Sequence, residues 1–122
     1  MRVAIFGSYD WNDYNSFIRE MTLFIQDAHD LGHRQILFVH GGKAGAENMI
    51  TEYIGKTQKF LRQKDFKLKE ELFKKRNNFL EVDIIESGID YAIIFSTKDK
   101  KTYKSKQILE AYGMPFKIVE NT

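Results

Sequence analysis

The chain has 122 residues, no cysteine, three histidines and a formal net charge of +2. Its length suits one domain around one core. Without cysteine there is no disulfide, thiol nucleophile or cysteine-held metal, and three scattered histidines give no basis for a metal site. The charge is uneven: residues 56–76 hold nine basic side chains against three acidic ones, a local excess that suits either phosphates or a solvated helix face.

Residues 2–6 (Arg2, Val3, Ala4, Ile5, Phe6) form a short run of strand formers closed by Gly7, as expected of a central strand buried on both faces. Tyr14, Phe17, Ile18, Met21, Ile25 and Ala28 then recur at helical spacing. Asn12 or Asp13 is placed to cap this helix and Gly32 to end it. Ile36–Val39 predict a second buried strand, broken by Gly41 and Gly42. Ala46, Met49, Ile50, Tyr53 and Ile54 predict a second amphipathic helix, with Gly55 permitting a stop. Residues 56–66 stay open: Lys59–Arg62 read as a short edge strand or as a link. Leu68, Leu72, Phe79 and Leu80 predict a long charged helix from about Lys67 to about Glu86, stopped at Gly88. Tyr91–Phe95 predict a third buried strand and Ser96–Thr102 a polar loop. Ile108, Leu109 and Tyr112 mark a last helix ended by Gly113, and Phe116–Val119 a final strand, with the single proline, Pro115, at its mouth.

Strands alternating with helices predict an α/β fold, a Rossmann-like parallel sheet of four or five strands with helices on both faces. The N-terminus lacks the basic start, apolar run and cleavage site of a secretory signal. No apolar stretch nears the roughly 20 residues that span a bilayer. A cytoplasmic protein without a membrane partner is expected.

In such sheets ligands bind beyond the carboxyl ends of the strands. Three turns meet there by this reading: Gly7-Ser8-Tyr9-Asp10, Gly41-Gly42-Lys43-Ala44-Gly45 and Ser96-Thr97-Lys98. Gly7 lets backbone approach a ligand, and the Ser8 hydroxyl is a donor for phosphate or ribose oxygens. Tyr9 and Trp11 come next as candidates to stack on a base or to cover the helix start. Gly41, Gly42 and Gly45 surround a helix start, where amides and dipole favour an anion and Lys43 adds charge. The spacing is neither that of a P-loop nor GxGxxG. His40 precedes Gly41 at the expected cleft rim. Glu47 stands on the first helical turn, placed to orient a ribose hydroxyl, to act as a base, or only to favour the helix terminus. Arg76 and Asn77 carry groups suited to phosphate or sugar oxygens.

Together Val3-Ala4-Ile5-Phe6-Gly7-Ser8, His40-Gly41-Gly42-Lys43-Ala44-Gly45-Ala46-Glu47, Arg76-Asn77 and Ala111-Tyr112-Gly113-Met114-Pro115-Phe116 resemble the SLOG superfamily, which includes the lonely-guy phosphoribohydrolases, DprA and the YspA-like proteins. The YspA-like branch is the nearest resemblance. It implies that residues 1–122 form one nucleotide-binding domain and a homo-oligomer, with residues 56–80 as the interface candidate. The implied pocket is lined by Gly7, Ser8, Gly41, Gly42, Arg76 and Asn77. The phosphoribohydrolases' PGGxGTxxE signature is absent: the matching place reads Phe95-Ser96-Thr97-Lys98-Asp99-Lys100-Lys101-Thr102-Tyr103-Lys104. Lysines 98, 100, 101 and 104 offer phosphates an electrostatic hold instead.

Three functions are expected in turn. The first is a sensor or sequestering module for a nucleotide or nucleotide-derived ligand, held at Gly7, Ser8, Tyr9, His40, Gly41, Gly42, Lys43, Gly45, Arg76, Asn77, Ser96 and Thr97. The second is an N-glycosidase on nucleoside monophosphates, with Arg76 on the phosphate and Glu47 supporting charge on the ribose, or Asp99 in its stead. The third, ranked last because aromatics are sparse there, is nucleic-acid binding through residues 56–76. No cofactor and no metal are expected.

Overall fold

The computed structural model describes residues 1–74 and 79–120. Five strands form: β1 (Arg2–Gly7), β2 (Gln35–His40), β3 (Lys67–Leu72), β4 (Tyr91–Ser96) and β5 (Phe116–Glu120). Four helices connect them: α1 (Tyr14–Asp30), α2 (Ala46–Arg62), α3 (Leu80–Glu86) and α4 (Lys100–Ala111). All pairings are parallel, in the order β3-β2-β1-β4-β5. This is a Rossmann-like α/β sheet, with β1 at its centre as its apolar sequence predicted.

Alternation along the strands builds two cores. Val3 and Ile5 of β1, Ile36 and Phe38 of β2 and Ile93 and Phe95 of β4 face α1 and α2, where Phe17, Met21, Ile25, Ile50 and Tyr53 meet them. Ala4, Phe6, Val39, Ala92 and Ile94 face the other way, onto Ile84 and Ile85 of α3 and Leu109 of α4. Each large apolar side chain buried this way stabilises the fold by about 1.5–3 kcal/mol. Asp13 caps α1, its Oδ1 accepting from the Ser16 amide at 3.0 Å. Asp99 caps α4 in the same manner through Thr102.

The predicted helix from Lys67 to Glu86 does not form. Its first part, Lys67-Leu68-Lys69-Glu70-Glu71-Leu72, is the edge strand β3, paired along its whole length with β2. Helix resumes at Leu80 and ends before Gly88. The residues are good helix formers, but an edge strand that buries Leu68 and turns lysine and glutamate outward satisfies β2 and resists further pairing. The open segment 56–66 also resolves: α2 runs through Gly55 to Arg62, so Lys59–Arg62 is helical rather than an edge strand. Among the described residues, no helix is long and apolar enough to cross a membrane.

Register aligns the strand ends. Gly7 lies beside Phe95, His40 beside Leu72 and Ser96 beside Glu120, so the turns after β1, β2, β3 and β4 share one rim. The chain leaves β1 for β2 on one side and reaches β4 on the other, which makes the β1–β4 boundary the topological switch point.

Candidate functional site

The switch point is closed by the protein's own side chains. Ser8 is fully buried; its Oγ donates to Asp99 Oδ1 at 2.9 Å and accepts from the Thr97 amide at 3.0 Å. Thr97 Oγ1 donates to Asp10 Oδ1 at 2.9 Å, tying the same two turns together from outside. Ser96 Oγ shares a hydrogen bond with Thr102 Oγ1 at 2.7 Å and accepts from the Lys98 amide at 2.9 Å. Burial pushes the Asp99 carboxyl upward, yet hydrogen bonds from Thr102 and Ser8 outweigh it and hold the group below the usual carboxylate range.

The second turn is likewise engaged. Glu47, buried at 2 % side-chain exposure, accepts the Gly41 amide on Oε1 at 2.8 Å and holds Lys43 Nζ 3.6 Å from Oε2. Its carboxylate fills the place at the head of α2 that an incoming anion was expected to take. His40 Nδ1 accepts the Gly42 amide at 2.9 Å, which leaves the ring proton on Nε2 to be donated to Glu70 Oε2 at 2.7 Å. Gly45, with φ at +89°, needs both its backbone freedom and its missing side chain: a Cβ there would stand 2.3 Å from Ser8 O. The first and second turns are therefore packed against each other.

An open cavity lies to one side of this closed boundary. A pocket of about 530 Å³ is walled by Gly41 and Lys43 after β2, Leu72, Phe73 and Lys74 at the end of β3, Phe79, Leu80 and Glu81 at the start of α3, and Lys101 of α4. Leu72 and Phe79 remain 59 % and 50 % exposed, so the pocket presents an apolar wall to solvent. Facing it, Lys43 and Lys101 converge. Burial lowers the Lys43 ammonium from its ordinary value; Glu47 opposes this, the neighbouring Lys101 lowers it further and Glu81 opposes, with a net shift downward. A larger groove of about 590 Å³ runs between α1 and α2 past Ile25, Tyr53, Phe60 and Phe66, but it lies along the helix layer, away from the strand ends.

Of the residues expected at the site, Gly41 and Lys43 line the pocket. His40 and Gly42 line a neighbouring cleft of about 420 Å³ with Asn48, Thr51, Glu70 and Leu72. Gly7, Ser8, Ser96 and Thr97 belong to the closed switch point, and Gly45 to the contact between turns. Tyr9 is 68 % exposed on the rim, whereas Trp11 is buried, its Nε1 donating to Asp13 O at 3.2 Å and its ring edge against Phe95, which removes it as a stacking surface. Arg76 and Asn77 lie outside the described residues. The pocket's other members escaped sequence reading: Phe73, Phe79, Leu80 and Glu81 sat inside a presumed helix, and Lys101 stood among several equivalent lysines. Among the described residues no cluster of histidine, aspartate and glutamate is arranged to hold a metal.

No family model, curated protein or solved structure matches the chain.

Proposed function

We propose that the protein binds a nucleotide or nucleotide-derived anion, as a sensor or sequestering module, in the pocket between Lys43, Lys101 and the apolar wall of Leu72, Phe73 and Phe79. The observation that carries this reading is the convergence of two lysines on one cavity opposite aromatic and aliphatic carbon. Like charges brought together at a partly buried site repel, and an anion seated between them relieves the repulsion. A phosphate suits the lysines, and a planar base suits the phenylalanine rings. With the Gly41 and Gly42 amides already taken by Glu47 and His40, the charge of the ligand falls to side chains rather than to a backbone cradle. The SLOG-like order of motifs supports the same class of ligand. Glycoside cleavage is less well served: Glu47 is buried and engaged with Gly41 and Lys43.

Thermal unfolding in the presence of AMP, NAD, ADP-ribose and cyclic dinucleotides tests this. A ligand at a hundred times its Kd adds about 2.7 kcal/mol and raises Tm by about 10 °C in a chain of this size. Lys101→Met, on the exposed first turn of α4, is expected to weaken that ligand by about tenfold or more, the worth of one charge-assisted contact. Absence of any shift at millimolar concentration with all four ligand types counts against the reading.

A further inference from the structure

We propose that Lys43 is an imine-forming lysine, whose amine condenses with the aldehyde or ketone carbon of a small carbonyl compound while Lys101 holds that compound's phosphate or carboxylate. The proposal rests on the reading of the pocket as an anion seat and adds a covalent step to it.

The arrangement around Lys43 supplies what this chemistry requires. Its side chain is 27 % exposed and borders the pocket, so the amine is reachable yet largely out of water. Glu47 Oε2 stands 3.6 Å from Nζ, close enough to take up the ammonium proton. Glu81, on the α3 wall, is a second carboxyl able to shuttle protons; its Oε1 is oriented by Ser105 Oγ at 3.0 Å. Lys101 is the second cation, and Leu72, Phe73 and Leu80 give the same pocket an apolar wall.

Among the described residues, the charged groups facing Lys43 are Glu47 from α2, Glu81 from α3, Lys101 from α4 and Lys74 beyond β3. Burial and Lys101 together outweigh the two carboxylates, so at a given pH Lys43 is free amine to a greater extent than an exposed lysine.

In the step itself, Lys43 passes a proton to Glu47 and its lone pair forms a C–N bond as the carbonyl π bond breaks. The alkoxide oxygen takes that proton from Glu47 and the now cationic nitrogen returns one to the carboxylate, giving a neutral carbinolamine. Glu47 then protonates the hydroxyl, the C–O bond breaks, water leaves and a protonated imine remains with Glu47 again a carboxylate. One ammonium and one carbonyl become one iminium and one water, with charge conserved and no oxidant or reductant needed.

The full chain is treated at pH 7 with equimolar pyridoxal 5′-phosphate, an aldehyde bearing an aromatic ring and a phosphate, and with cyanoborohydride to reduce any imine. Peptide mass spectrometry then reads the label at each lysine. Label on Lys43 is expected to exceed the average of the other lysines by about tenfold or more, the excess a more available amine gives. Lys43→Arg, which keeps the charge beside Glu47, should abolish that excess, and Lys101→Met or pyridoxal lacking phosphate should reduce it severalfold. Label spread evenly over the lysines overturns the proposal, whether or not AMP stabilises the protein. An excess on Lys43 that ignores both Lys101→Met and loss of the phosphate overturns the role given to Lys101. An excess on Lys43 that millimolar AMP fails to suppress keeps the imine and overturns the nucleotide reading.

Discussion

Asp99 does three jobs with one carboxylate: it caps α4, accepts the Thr102 hydroxyl and fixes the buried Ser8 hydroxyl across the switch point. Asp99→Ala is expected to cost about 2 kcal/mol at pH 7, about 1 for the cap and about 1 for the orphaned Ser8 contact, read by urea unfolding. The pH dependence has a definite sign. The folded-state carboxyl lies below its ordinary 3.8, so its stabilisation is complete above that pH and fades as pH falls through the lowered value. Wild type minus Asp99→Ala should therefore shrink below pH 3.8, and a difference that stays constant into that range would show that charge plays no part. Lys43 and Glu47 obey the same rule of neighbours: a carboxylate cut off from water is met by the Gly41 amide and the Lys43 side chain rather than left without partners.

At the scale of elements, β3 is where local preference and tertiary demand disagree. Lysine, glutamate and leucine favour helix, and Leu68 and Leu72 at a spacing of four would share one stripe of it. As a strand they also share a face, but only Leu68 lies under cover, while Leu72 ends at the rim. Leu68→Ala is expected to cost about 3 kcal/mol as a buried leucine does, and Leu72→Ala under about 1 kcal/mol, with denaturant midpoints as the readout. Equal costs would contradict the strand. The same strand end carries Leu72 into the pocket wall, so the element missed in sequence also contributes to the candidate site.

At the scale of the molecule, β1 and β4 are flanked by paired strands on both sides, whereas β3 and β5 are edges. Native-state hydrogen exchange should find the slowest amides in Val3–Phe6 and Ala92–Phe95, and faster exchange in β3 and β5, because edge strands open without breaking the centre. Slowest exchange in β3 would mean that another surface covers that edge. The pocket, too, is a property of the whole: it takes walls from the turn after β2, the end of β3, the start of α3 and the first turn of α4.

Four strands, the central place of β1, the cap of α1 and the stops at Gly32, Gly88 and Gly113 were legible because they depend on neighbours in the chain, whereas the stop expected at Gly55 was not taken. Val3–Phe6 has too many strand formers and too few residues for a helix, Asp13 caps the helix that begins at Tyr14, and Gly113 stands just past the end of the last one. Gly41 and Lys43, which line the pocket, were singled out for the same reason, as a glycine turn entering a helix. The tertiary structure alone decided that Lys67–Leu72 is a strand, since its partner β2 lies about thirty residues away in sequence. It alone decided that Glu47 and His40 would take the turn's amides, that Ser8 and Asp99 would close the switch point, and that Lys101 would meet Lys43. Local pattern reports which backbone groups and charges exist at a turn; which of them remain free for a ligand depends on side chains brought there from the rest of the chain.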